Sequence, residues 1–355
     1  MKNSRTVGLR MKLVVVLAGL LLVAGMTVGC SSSGGQGSDV VELKLAHFFP
    51  AVHPAETELI QPWAAAVEEA TGGRVKITSY PGETLAKAND IYAGVVDGIA
   101  DIGLSCFAYT RGRFPVLEAF ELPGIVYENS KVASKVAWEG IQALNPKEVQ
   151  DTKLLMVFAT GSGDLFTKTP VRTMEDLQGM LIRGTGLSAK TLQALGAVPE
   201  AMAQSEAYEA LQKGVVQGNL GPMEILKGWK NAEVTDYITK TPFMYNTLFF
   251  ITINLDKWNS LPADVQEAFL AVNEEFFENT AMGLWDWQNQ EALDYAVGEM
   301  GMEVIELSQE ETDRWIRQVE PIQQEYLTGT QDKGLPGQEA LDLVKELADK
   351  YNQQY

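Results

Sequence analysis

Apolar residues return at every second position over residues 41–46 (Val-Glu-Leu-Lys-Leu-Ala) and again over 74–79, the spacing of half-buried strands. Between them, residues 54–70 carry helical spacing, with Pro54 near the first turn and Gly72-Gly73 as a stop. After a turn at Tyr80-Pro81-Gly82, a helix is expected over 85–96 and a short apolar strand over 100–105. Succession of strand and helix in this manner predicts a parallel α/β sheet.

Residues 109–127 are rich in aromatic residues and proline and predict no long regular element. A helix over 130–144, capped by Ser130, leads to the apolar run 153–158, which reads as the buried strand opening a second lobe. Gly161-Ser162-Gly163-Asp164 is either a plain turn or a place where backbone N–H groups approach a ligand. A short strand then ends at Arg183, a helix covers 187–195, Ser205 caps the next, and Pro222 starts one that reaches Trp229. Residues 243–254 alternate as a strand crossing between lobes. From Pro262 helical periodicity runs to about Met300, longer than most globular helices, and acidic amphipathic helices over 312–326 and 337–351 follow.

Gly94-Val95-Val96-Asp97-Gly98 recurs as Gly214-Val215-Val216-Gln217-Gly218, each after a predicted helix and before a short apolar strand, which two related lobes explain. A chain of 355 residues, 46% hydrophobic, supplies a core to both. Residues 39–150 are assigned mainly to the first lobe, 151–250 mainly to the second, and 251–355 to a spine and terminal helices bridging the two.

Lys2, Arg5, Arg10 and Lys12 precede an apolar run over 13–28, the layout of a secretory signal ending at residue 29. Met26-Thr27-Val28-Gly29-Cys30 resembles a lipoprotein cleavage box that would make Cys30 the lipidated first residue, with Thr27 where an aliphatic residue is usual. The alternative is an uncleaved anchor, although the run falls short of the roughly 20 residues that span a bilayer. Residues 30–38, rich in Ser and Gly, form a flexible linker behind either tether.

Removing residues 1–29 leaves 24 Lys and Arg against 47 Asp and Glu, a net charge of −23. Such a surface repels nucleic acid, and it makes an anionic ligand depend on locally placed positive charge. Arg183, at the carboxyl end of its strand, stands where open α/β sheets bind ligands, and its planar fork matches a carboxylate. A surface Arg paired with a nearby acid is the plainer reading. With Cys30 acylated, Cys106 is a lone thiol, expected as a small apolar core or cleft residue. The two histidines, His47 and His53, lack the spacing of a helical metal pair, and no nucleophile elbow, phosphate loop or cysteine cluster is present. No cofactor or metal is implied.

Asp176-Leu177-x-Gly179-x-x-Ile182-Arg183, then Leu195-Gly196-Ala197-x-Pro199 and Glu206-x-Tyr208-x-Ala210-Leu211-Gln212-x-Gly214-Val215-Val216-x-Gly218, resemble the solute-binding subunit of tripartite ATP-independent periplasmic (TRAP) transporters, the DctP-type family. The resemblance extends over 43 to about 345. It implies an α/β, two-lobed, periplasmic-binding-protein type II-like fold with crossing strands and a long spine helix. It further implies an exported receptor, not an enzyme, that closes over an organic acid and docks on the small and large membrane subunits of an ion-driven importer. Arg183 would be the carboxylate clamp. Phe48, Phe107, Met223 and Phe243 are expected as apolar walls, Asn219 as a polar contact, and His47 either as a ligand-orienting group or as a structural one.

Three positions depart from the family pattern. Gly221 stands where an Asn is usual, no Arg lies between Thr160 and Val171, and Phe243 replaces a frequent His. Fewer polar groups and more apolar surface suit a bulky or aromatic 2-oxo or hydroxy monocarboxylate better than a dicarboxylate. Asp164 could instead meet a ligand ammonium, which keeps amino acids open. A sensory receptor and a periplasmic enzyme acting on a carboxylic acid are the other classes that share these features.

Overall fold

The computed structural model describes residues 40–355. The signal segment 1–29, the linker 30–38 and the proposed lipidation site Cys30 lie outside the described residues. Among the described residues no helix is long and apolar enough to cross a membrane.

The strands in chain order are β1 (Val41–His47), β2 (Val75–Tyr80), β3 (Ile102–Cys106), β4 (Thr152–Ala159), β5 (Asp164–Thr167), β6 (Leu181–Arg183), β7 (Val198–Glu200), β8 (Gly218–Gly221), β9 (Tyr237–Lys240), β10 (Leu248–Asn254) and β11 (Glu303–Glu306). They form two sheets, one per lobe. The first has the order β2-β1-β3-β10-β4, the second β11-β9-β5-β8-β6-β7. β1 pairs in parallel with β2 and β3, as the strand–helix–strand pattern predicts, and β10 is antiparallel to β3 and β4. Its near-continuous buried run fits a strand with both faces covered.

Residues 153–158, expected to open the second lobe, instead lie in β4 of the first sheet, because β10 returns from the second lobe to pair with them. An apolar run announces burial but not which sheet it joins. The chain crosses between sheets three times, directly over 160–163 and 241–247 and through the helices between β10 and β11, and the two direct crossings are tied together. Thr160 N donates to the Thr247 carbonyl at 3.1 Å, Thr247 N to Thr160 Oγ1 at 3.2 Å, and Gly163 N to the Tyr245 carbonyl at 3.3 Å.

Several local expectations shift by a residue or more. The first helix begins with a π-wound turn, Ala55–Ile60, before its regular part Gln61–Ala70. Only Ile91–Val96 of the expected 85–96 helix is α-helical. Asn129, not Ser130, caps the helix Ser130–Leu144 by accepting from Val132 N at 3.0 Å. Ser205 lies inside the helix Gln204–Gln212, whose cap is Ala203, and the helix after Pro222 is confined to Ile225–Gly228.

The long apolar run is realised as two helices, Ala263–Asn279 and Leu284–Gly298, joined by a tight turn at Ala281–Gly283. The break has an identifiable partner. Ser130 Oγ and Ser134 Oγ donate to the Met282 carbonyl at 3.0 and 3.3 Å, and Ser130 N donates to Asp286 Oδ1 at 2.7 Å. Helix Leu284–Gly298 packs against Ser130–Leu144 of the first lobe and Ile225–Gly228 of the second, so it still bridges the two. Trp285 on it is fully buried, whereas Trp287 is exposed.

Candidate ligand-binding site

Arg183 ends β6, which runs parallel to β7 and β8, so it stands at the carboxyl edge of the second sheet. β1 and β3 of the first sheet end at a matching edge, followed by Phe48-Phe49 and by the turn Phe107–Tyr109. The two edges meet at a cavity of about 20 Å³, to which the crossing segments contribute Thr160, Tyr245 and Thr247. That is room for about one water molecule, so the lobes are closed on each other.

The closure is polar at one end and aromatic at the other. Arg183 is 2% exposed; its Nε donates to the Met202 carbonyl at 3.0 Å, its Nη2 to the Tyr109 hydroxyl at 3.2 Å, and its Nη1 to Asn219 Oδ1 at 3.5 Å. Tyr109 belongs to the first lobe and also accepts from Gln204 N at 2.9 Å, so one hydroxyl spans the cleft. At the far end Trp229 of the second lobe stacks on Phe48 of the first, with ring centroids 5.9 Å apart at 22°, and Phe49 and Phe249 continue the aromatic wall. His53 of the first lobe completes the seam. Its Nδ1 accepts from Ala55 N at 3.1 Å, which leaves Nε2 to donate to Glu224 at 3.2 Å.

None of the ion pairs among the described residues includes Arg183. A buried guanidinium without a carboxylate is costly, because an ion removed from water needs an opposite charge or full hydrogen bonding. Three of its five N–H groups are engaged, leaving one on each terminal nitrogen. Those two remaining donors are what a bidentate carboxylate needs.

Nearby titratable groups are held neutral. Burial, then the charge of Glu121, pushes the Cys106 thiol well up, so it carries no reactive thiolate. Burial likewise raises the phenols of Tyr109 and Tyr245. Among the described residues there is no cluster of metal-ligating side chains.

Of the residues expected at the site, Arg183 and Phe48 line the cavity, and Asn219 stands behind Arg183, bonded to it rather than facing the cavity. The others lie elsewhere. His47 is buried against the helix of its own lobe, its Nε2 bonded to Glu56 at 2.8 Å and Ser79 at 3.0 Å, which makes it structural. Burial opposes the charge on Glu56, but bonds from His47, Gln61 and Ser79 outweigh it and hold that carboxyl below its ordinary value. Phe107 turns away from Tyr109 to pack on Phe114 and Phe250. Asp164 pairs with Lys240 at 2.6 Å and accepts from Thr241 N at 2.8 Å, so it is spoken for. Met223 packs with Phe166 and Leu226 beneath the second sheet. Phe243 is buried in the main core, its carbonyl accepting from Gly124 N at 2.8 Å.

Tyr109, Gln204, Trp229 and Tyr245 were not singled out by the sequence. Gly163 explains one of them. A Cβ there would sit 2.5 Å from the Tyr245 ring and 2.7 Å from the Gly221 carbonyl, so the tyrosine takes the space that a side chain at 163 would need.

The family profile described as bacterial extracellular solute-binding protein, family 7 (DctP), matches residues 45–329. The C4-dicarboxylate-binding periplasmic protein DctP of Rhodobacter capsulatus is 28% identical over 270 residues, which is 73% of this chain and 78% of that protein. A TRAP periplasmic solute-binding protein from Desulfovibrio salexigens, solved as an open complex, is 35% identical with a TM-score of 0.76, over 88% of this chain and 96% of that one. A marine metagenome TRAP solute-binding protein specific for aromatic acids, solved with metahydroxyphenylacetate, is 29% identical with a TM-score of 0.82, over 88% and 99%.

Proposed function

The chain belongs to the DctP family of bacterial extracellular solute-binding proteins, family 7, and from that premise we propose that it binds a bulky or aromatic monocarboxylate and delivers it to a TRAP-type membrane permease. The observation that carries the reading is the buried, anion-free Arg183 beside an aromatic wall. Arg183 takes the carboxylate with its two unengaged N–H groups, and the ring or apolar body enters among Phe48, Phe49, Trp229 and Phe249, which part to admit it because the cavity of about 20 Å³ is filled by their own packing. Exclusion of water on closure strengthens the charge pair. The superposition supports a closed form, since the chain fits the ligand-holding relative better than the more identical open one. It also favours aromatic acids, because that relative is one specific for them.

The seam made by Tyr109, His53 and Trp229 exists only when the lobes meet, so closure is the signal that the small and large membrane subunits read. Export through residues 1–29 and a lipid anchor at Cys30 would hold the receptor beside that permease. That the relatives are solute-binding proteins supports binding rather than turnover.

Thermal unfolding of the purified protein, refolded to strip any co-purified ligand, tests this against mono-, di- and amino-carboxylates. An aromatic monocarboxylate at about 100 times its Kd should add roughly 2.7 kcal/mol. Arg183→Ala should abolish that gain. A gain that survives the substitution sinks the clamp, and one confined to dicarboxylates sinks the ligand class.

A further inference from the structure

Gln204 is the first residue of the helix Gln204–Gln212, 6% exposed, and lines the same cavity as Arg183. Its Oε1 accepts from Asn219 Nδ2 at 3.1 Å, whereas its Nε2 is buried with no hydrogen-bond partner. A buried amide donor left unmade is costly unless something arrives to accept from it.

Which end of the amide is free is fixed by its neighbours. The Trp229 carbonyl can only accept, so the Asn231 group facing it at 3.0 Å is Nδ2. Asn231 Oδ1 then faces Asn219 at 2.8 Å and requires Nδ2 there. Asn219 Nδ2 also lies against Gln204, which must present Oε1. From the other side, Arg183 can only donate, and its Nη1 faces Asn219 Oδ1. An acceptor-only group at one end of the relay and a donor-only group at the other impose the same orientation on all three amides.

We infer that Gln204 is a specificity-determining residue whose Nε2 donates to an oxygen the ligand carries next to its carboxylate, a 2-oxo or 2-hydroxy group. The inference rests on the Arg183 clamp: the two unengaged guanidinium donors suffice for the carboxylate oxygens, so the amide reads a further acceptor. Asn219, Asn231 and the Trp229 carbonyl are positioning groups that keep it a donor.

Calorimetric titration with phenylacetate, mandelate and benzoylformate separates the roles, since the three share ring and carboxylate and differ only at C2. Gln204→Leu should weaken mandelate and benzoylformate about 10-fold or more and phenylacetate less than about 3-fold, the loss of roughly one hydrogen bond. Gln204→Glu keeps the oxygen that Asn219 needs, reverses the free end and adds a negative charge that weakens all three acids. Beyond that common loss it should hurt benzoylformate, which can only accept, more than mandelate, whose hydroxyl can donate. Equal losses for all three acids, no loss in Gln204→Leu, or a wild type that binds phenylacetate at least as tightly as the oxygenated acids would each overturn the inference. Loss of all three in Arg183→Ala with the C2 preference intact in wild type upholds both readings; binding that survives Arg183→Ala removes the clamp whatever Gln204 does. A wild type that binds none of the three ends both.

Discussion

Two cavities flank the turn Phe107–Tyr109, and they differ in chemistry as sharply as in size. The one on the Phe107 side is about 500 Å³ and carries both signs of charge, Arg111, Lys190 and Lys333 against Glu118 and Glu325. The one on the Tyr109 side is about 20 Å³ and gathers a buried cation without an anion, an amide without an acceptor, and stacked aromatic rings. The larger space is compensated within itself. The smaller one is not, and the unmet chemistry rather than the volume is the reason the proposed ligand is assigned to it.

The contrast requires that Glu121, in the wall of the large cavity, does not neutralise Arg183 from behind, since both influence the Cys106 thiol. Burial, outweighing the bond from Leu248 N at 2.7 Å and reinforced by Glu118, pushes the Glu121 carboxyl up to about 8. Its folded value therefore exceeds its unfolded value. The resulting penalty is absent below about pH 4.5, grows as pH rises toward 8, and is complete above that. Glu121→Gln keeps the acceptor for Leu248 and removes the titration. It should be more stable than wild type by up to about 5 kcal/mol at pH 9 and by little at pH 4.5, measured by urea unfolding. The same gain at both pH values would mean that Glu121 is ionised, and would give Arg183 a hidden partner.

A more direct way to break the contrast is to alter one cation in each cavity. Arg183→Lys retains charge but loses the fork and the tethers to Met202, Asn219 and Tyr109. We expect about 10- to 100-fold weaker binding of an aromatic acid, on the order of 1.4–2.8 kcal/mol. Lys190→Ala should change it by less than about 2-fold, as exposed charges among both signs contribute little. If the two substitutions cost the same, the acid is held by the general field of the cleft and not by the fork.

How much of this the sequence discloses depends on whether a residue's role is set locally. Arg183 stands out in the sequence through the family resemblance, which outweighs the plainer surface-pair reading and agrees with its place at the end of a short apolar strand, and Phe48 because it follows β1 at the equivalent edge. Phe107 and Tyr109 belong to one turn with only Ala108 between them, yet face different cavities, and nothing in the composition of that segment says which side either takes. Tyr109 reaches an Arg 74 positions away and Asn219 reaches one 36 away, so those bonds are products of the closed tertiary structure. Gln204 escapes notice for another reason. A glutamine at a helix start looks solvated until its neighbours bury it and dictate its flip. The parallel pairing of β1 with β2 and β3 follows from periodicity, whereas the antiparallel β10, and with it the membership of β4 in the first sheet, depends on a return about a hundred residues later.

A smaller loss than that of Arg183→Lys tests the seam itself. Tyr109 Oη accepts from Arg183 and from Gln204 N, two donors of the opposite lobe, and both bonds exist only in the closed form. In the open form water satisfies all three groups, so Tyr109→Phe leaves that form nearly unchanged and penalises closure. Affinity should fall about 5-fold, roughly 1 kcal/mol, the net value of a hydrogen bond. Because the hydroxyl acts on closure rather than on the ligand's C2 oxygen, phenylacetate, mandelate and benzoylformate should lose equally, in contrast to Gln204→Leu. Unequal losses in Tyr109→Phe would instead place the hydroxyl in contact with the ligand, and would move the small cavity's selectivity from the amide to the phenol.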